Sequence, residues 1–162
     1  IGGPSVFPPQ PDGIWTMIYS NDRWVTDSGP RRHRRGLYTF WKRTIAPPAM
    51  LAFDASTREF CTVRENRTNT PLQALALLNE QTFFAAAGEF AKSMLAMPLA
   101  DDNARLIHMF QTATSREPTA AEMVVLVKAL DKQRSLAQGD NLQAFTAIAS
   151  LLLNLDETVV KE

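Results

Sequence analysis

"TPLQALALLNEQTFFAAAGEFAKSM", residues 70–94, decides the fold. Thr70 is a favoured N-cap, Pro71 stands at the first helical position, and Gln73 follows three residues after the cap. That is a capping box with the preferred proline. Leu72, Leu75, Ala76, Phe83, Ala86, Ala87, Phe90 and Met94 then recur at helical spacing. The pattern predicts helix from Thr70 onward, with a bend or break near Asn79.

The chain beyond repeats the theme. A second helix is expected over about 102–113, with Leu106, Ile107 and Phe110 inward. "TAAE" at Thr119–Glu122 is another capping box, opening a helix that runs to about Ala137 and buries Met123, Val127 and Leu130. Gly139 ends it. Asp140 caps a last helix, with Gln143 as a third box partner and Phe145, Ile148, Leu152 and Leu155 as its apolar stripe. Three capping boxes that agree with three periodic segments define a consistent fold. We expect a mainly α protein: a bundle of about four to five helices over 70–162, behind an irregular, Pro- and aromatic-rich N-terminal region.

Working towards the N-terminus, residues 14–69 form that irregular part and residues 1–13 an extended arm, all within one domain of 162 residues. The arm, "IGGPSVFPPQPDG", holds four prolines and three glycines, which disfavour helix. A short helix is expected in "DGIWTMIYSN", capped by Asp12 with Ile14, Trp15 and Ile18 inward. "RRGLYTFWKR" reads as a short strand, with Leu37, Thr39 and Trp41 on one side and Tyr38 and Phe40 on the other, since it is enriched in aromatic and β-branched residues. "TIAPPAMLAFDAS" is broken by Pro47 and Pro48 and reads as irregular.

Lys+Arg and Asp+Glu both number 17, so net charge points to neither nucleic acid nor membrane. The charge is uneven: residues 1–78 carry 10 basic and 6 acidic side chains, residues 79–162 carry 7 and 11. No apolar run approaches the roughly 18 residues of a membrane helix. Cys61 is the only cysteine, which excludes an internal disulfide framework and a Cys-pair metal site. We expect it to be a small buried thiol, with activation by Arg58 or Arg64 as the other reading. The two histidines, His33 and His108, are far apart, and no HExxH or EF-hand pattern is present, so no metal site is expected. No GxSxG, CxxCH, GxGxxG or Walker loop occurs, and no cofactor is implied. Asn66-Arg67-Thr68 matches a glycosylation acceptor and reads as chance.

The sharpest charge feature is "RRHRRGLYTFWKR", residues 31–43, with six positive side chains among Tyr38, Phe40 and Trp41. Such a mixture can hold phosphate, sugar or anionic polysaccharide. It can equally satisfy backbone carbonyls and pair with carboxylates of its own chain. As a ligand surface it comprises Arg35, Tyr38, Trp41, Lys42 and Arg43, joined by Arg64, Arg67 and Asn69 before the Thr70 helix. As a structural network, Asp54 with Arg64, Arg67 and Asn69 ties the irregular region to the cap formed by Thr70 and Gln73. An enzyme would instead gather Asp54, Glu59 and Glu65 with arginines in an open cleft.

The block "RRGLYTFWKRTIAPPAMLAFDASTREFCTVRENRTNTPLQALALLNE", residues 34–80, resembles a bacterial, mainly planctomycete, domain of unknown function, family 1553. "GGPSVFPPQPDGIW", "FQTATSREPTAAEM" and "LLLNLDETVVKE" are similar to its lead-in, a helix start of Arg-x-Pro-Thr-x-x-Glu type, and its ending. Arg31, Arg32 and His33 depart from the acidic or apolar residues usual there. The resemblance implies the C-terminal module of an exported multidomain protein, often with a cytochrome-c-like domain, in the periplasm or at the cell surface. It carries no catalytic residue over. The opening on Ile1 rather than Met agrees with a piece of a longer chain. We therefore expect a non-catalytic scaffold that packs on other domains of the same parent. The alternatives are binding of an anionic or carbohydrate ligand, and a share in a polysaccharide-degrading or redox site completed upstream.

Overall fold

The computed structural model describes residues 2–11, 13, 23–42, 45–56, 61, 63 and 68–160. Among these the regular structure is helical: α1 (Pro48–Ala52), α2 (Pro71–Asn79), α3 (Gln81–Leu95), α4 (Asp102–Thr114), α5 (Ala120–Leu136), α6 (Asn141–Leu153) and α7 (Asp156–Val159). The protein is mainly α. It divides into two compact units, Ile1–Thr68 and Asn69–Glu162.

In the second unit the helix starts follow from their caps. Thr70 Oγ1 accepts from Gln73 N at 3.3 Å, and Gln73 Oε1 accepts from Thr70 N at 2.8 Å. Gln73 is buried, so its amide oxygen has to be satisfied, and the box does this locally. Thr70→Ala is expected to cost about 1 kcal/mol, read as a lower urea midpoint at unchanged slope. Thr119 and Glu122 form the second box. The third is one-sided. Asp140 Oδ1 accepts from Gln143 N at 3.1 Å, but Asp140 N already donates to Ala137 O at 3.0 Å, which leaves no donor for the return bond. Two further helices are capped by acidic side chains outside any box pattern. Asp101 accepts from Ala104 N at 2.7 Å, and Glu80 accepts from Thr82 N and Phe83 N. Of the bend or break expected near Asn79, the Glu80 cap makes a full break between α2 and α3.

Helix α6 is central, packing most extensively on α3 and then α5, with α2, α4 and α7 around it. The core joins Ala87, Ala91 and Met94 of α3 to Leu106, Met109 and Phe110 of α4. Leu126 and Leu130 of α5 and Ala144, Phe145, Ile148, Ala149 and Leu152 of α6 complete it. Small residues on α3 and α6 permit close axial approach. The expected inward faces are shifted in places: Leu126 and Met109 are buried, whereas Ile107, Met123 and Val127 are half-buried. Leu72 and Leu75, expected on the apolar stripe, are 60% and 59% exposed.

The first unit has less regular structure. The expected strand over "RRGLYTFWKR" is not formed. Gly36–Tyr38 is a 3-10 turn, and among the described residues pairing is confined to isolated bridges, Val6 with Thr39 and Lys42 with Ile45. One-residue pairing without a further neighbour cannot sustain a ladder. The segment expected to be irregular around Pro47 and Pro48 instead contains α1, with Pro48 at its first turn, where no N–H is required. The short helix expected after Asp12 lies outside the described residues.

Candidate functional site

In the first unit the proline-rich arm and the arginine run bind each other. Val6 N donates to Tyr38 O and Phe40 N to Val6 O, both at 2.8 Å. Arg34 donates to Gly2 O at 2.6 Å and to Pro4 O at 3.2 Å, and its guanidinium lies 3.6 Å from the Tyr38 ring centre. The Tyr38 hydroxyl accepts from Gly2 N at 3.2 Å. Arg31 donates to Ser5 O at 3.1 Å and pairs with Asp27 at 3.4 Å. Asp27 in turn accepts from Phe7 N at 2.8 Å, and Phe7 stacks on Phe40 at 5.0 Å. A proline contributes no donor, so the arm presents mostly carbonyls, and arginine forks supply the protons.

Of the ligand-surface candidates, Arg35 is exposed just before the Gly36–Tyr38 turn, and Trp41 and Lys42 are half-buried. Tyr38 is occupied on one face by Arg34. Arg43, Arg64 and Arg67 lie outside the described residues, as do Arg58, Glu59 and Glu65. Asp54 stands in the left-handed region (φ 58°) after α1, and its Oδ2 accepts from Thr68 N at 2.8 Å and Thr68 Oγ1 at 2.7 Å. Asn69 donates to Asp156 at 2.5 Å, at the start of α7. Cys61 is exposed, not the buried thiol expected from its neighbours Phe60 and Thr62. Among the described residues no group of His, Cys, Asp and Glu is placed to hold a metal, and no helix is long and apolar enough to cross a membrane.

In the second unit the densest charge cluster is a clamp around Arg116. Its Nε and Nη2 donate to both oxygens of Glu157 at 2.8 and 2.6 Å, and Nη1 and Nη2 donate to both oxygens of Glu122 at 3.0 and 2.6 Å. The guanidinium also lies 4.8 Å from the Phe110 ring centre. One arginine thus joins the end of α4, the first turn of α5 and α7. The Arg116 hydrogen bonds, aided by the Thr119 backbone and hydroxyl, hold Glu122 down at about 2 from an ordinary 4.5. The same guanidinium lowers Glu157 and is itself held more firmly protonated. Carboxylates lowered on folding contribute stability above their unfolded pKa and lose it as pH falls through the folded value. The native chain is therefore expected to lose stability from about pH 5 towards pH 2, and Arg116→Met to flatten that slope, in urea titrations across pH. Side chains 35–50% exposed also make the effect smaller at high salt.

A different surface is apolar. Ala74 and Leu78 of α2, Phe84 of α3, Ala147, Ser150 and Leu151 of α6, and Asn154 and Leu155 beyond it line an open, mostly apolar groove of about 610 Å³. Leu78, Phe84 and Leu151 are 50%, 55% and 41% exposed. Neither α2 nor α6 carries a charged residue. Helix α6 is covered on most sides by its neighbours, whereas α2 leaves Leu72, Leu75 and Leu78 exposed.

Residues 1–130 match the model of a family described as PSD1, protein of unknown function (DUF1553). The chain belongs to that family. No curated protein and no solved structure matches it. In this PSD1 chain the helix-start signature is the Arg116 clamp. Arg116 and Glu122 form its ion pair, Thr119 caps α5 through Glu122 N, and Pro118 directly precedes that cap. The signature is accounted for by joining helices. Glu157, 41 residues from Arg116, is the partner that motif spacing does not reveal.

Proposed function

We propose that the chain is a non-catalytic packing module whose α2–α3–α6 face lies against another part of a larger assembly. The observation that carries this is the pair of charge-free helices, α2 and α6, with Leu72, Leu75, Leu78 and Leu151 left exposed beside Phe84 of α3. Contiguous apolar patches beyond a few hundred Å² mark interaction surfaces on soluble proteins. The charged groups point the same way: Arg34, Arg116 and Arg134 are spent on Gly2 and Pro4, Glu122 and Glu157, and Asp102 and Asn141.

The partner we assign is another domain of the same parent chain, an exported bacterial multidomain protein of the periplasm or cell surface. Support for that setting is the resemblance over residues 34–80. An anionic or carbohydrate ligand, or a share in a polysaccharide-degrading or redox site, has less behind it, because one face of the Tyr38 ring is taken by Arg34. The test is Leu75→Asp with Leu78→Asp in the longer parent. Release of the module to limited proteolysis is expected, and unchanged resistance contradicts the proposal.

A further inference from the structure

We infer that the groove receives an amphipathic helix with basic residues at both ends, an inference that rests on the packing role proposed above and names the occupant. The floor and walls supply the apolar half. Leu78, Phe84 and Leu151 stand around about 610 Å³ of open space. The groove follows α6, where its lining runs from Ala147 to Leu155, about 12 Å at 1.5 Å per residue. That length matches two to three turns of a helix presenting side chains at i, i+3 or i+4, and i+7.

Charge selects among apolar occupants. Across residues 71–88 and 141–160, which build the groove and its ends, the charged residues are Glu80, Asp156 and Glu157, all acidic. Glu157 is matched by Arg116. Among the described residues Glu80 accepts from Thr82 and Phe83, and Asp156 from Asn69, all neutral donors that leave the negative charge in place. The two stand at opposite ends. Asn69 just before α2 reaches Asp156 just after α6, so α2 begins where α6 finishes, and Glu80 follows the far end of α2. A basic residue at each end of a docked helix meets a carboxylate at each end of the groove. A second copy does not: two-fold packing of this face on itself sets acidic ends against acidic ends.

The experiment uses the full 162-residue chain and two designed, dye-labelled helices of about four turns. Both carry the same leucine face, one with lysines at its ends and one with glutamates. Fluorescence anisotropy is expected to show the lysine-ended helix binding at least tenfold more tightly than the glutamate-ended one, roughly the effect of a well-placed charge pair at each end. That binding should weaken as salt rises. Leu78→Asp should reduce it at least about tenfold, as removal of a central apolar anchor does. Glu80→Gln with Asp156→Asn, each of which keeps one acceptor oxygen, should reduce it about 3- to 10-fold, with far-UV circular dichroism unchanged and the urea midpoint lowered by no more than the loss of a helix cap. Equal binding of both helices, lost in Leu78→Asp, keeps the packing face and overturns the basic occupant. Sedimentation of the chain as a dimer that Leu78→Asp dissociates makes a second copy the occupant and overturns the inference. Failure of a monomeric chain to bind either helix also overturns it. The packing role is decided separately by the parent-chain proteolysis.

Discussion

Phe145→Ala is expected to lower the unfolding free energy by about 3–5 kcal/mol, measured as a fall in urea midpoint at similar slope. Phe145 is fully buried on α6, the helix that α2, α3, α4, α5 and α7 all contact. Its ring fills the centre of the core with Leu106, Met109, Ile148 and Leu152, so truncation leaves a cavity that several helices would have to close together. Arg134, whose guanidinium lies 5.8 Å from the ring centre while it binds Asp102 and Asn141, loses a packing surface as well. Domains of this kind are stable by only about 5–15 kcal/mol, so the variant should be partly unfolded at physiological temperature. Leu142→Ala, on the same helix but 37% exposed, should move the midpoint far less.

The second large effect separates folding from association. Leu75→Asp with Leu78→Asp should leave the urea midpoint of this chain within roughly 1 kcal/mol of the native value, since exposed positions seldom matter more. In the parent the same pair should weaken attachment of the module at least tenfold, because side chains at the centre of an apolar contact dominate its energy. A variant that instead unfolds alone would place Leu75 and Leu78 in the core and remove the basis of the packing face.

These two expectations also mark where sequence reasoning succeeded and where it stopped. Thr70, Pro71 and Gln73, and Thr119 and Glu122, could be read from spacing because a capping box is made within four residues. The α6 stripe at Phe145, Ile148 and Leu152 was legible because helical period selects one face. Period does not say what covers that face. Leu72 and Leu75 obey the same rule as Phe145, yet stand exposed. The Arg116–Glu157 bond was hidden by 41 residues of separation, and the Arg34–Gly2 bond by 32, since spacing motifs see only local partners. The arginine run looked like a ligand surface because its acceptors are arm carbonyls, which every residue carries and no sequence pattern distinguishes. Of the candidate residues, Arg35, Trp41 and Lys42 are exposed or half-buried, and substitution there with a sulfated-glycan binding assay across salt is the matching test for the alternative role.

The packing role is tested most directly by hydrogen exchange on α2 and α6, comparing this chain alone with the same residues in the longer parent. We predict slower exchange across Pro71–Asn79 and the second half of α6 in the parent, with α4 and α5 little changed. Equal exchange in both settings would leave the charge-free face uncovered in the assembled protein and would contradict the account.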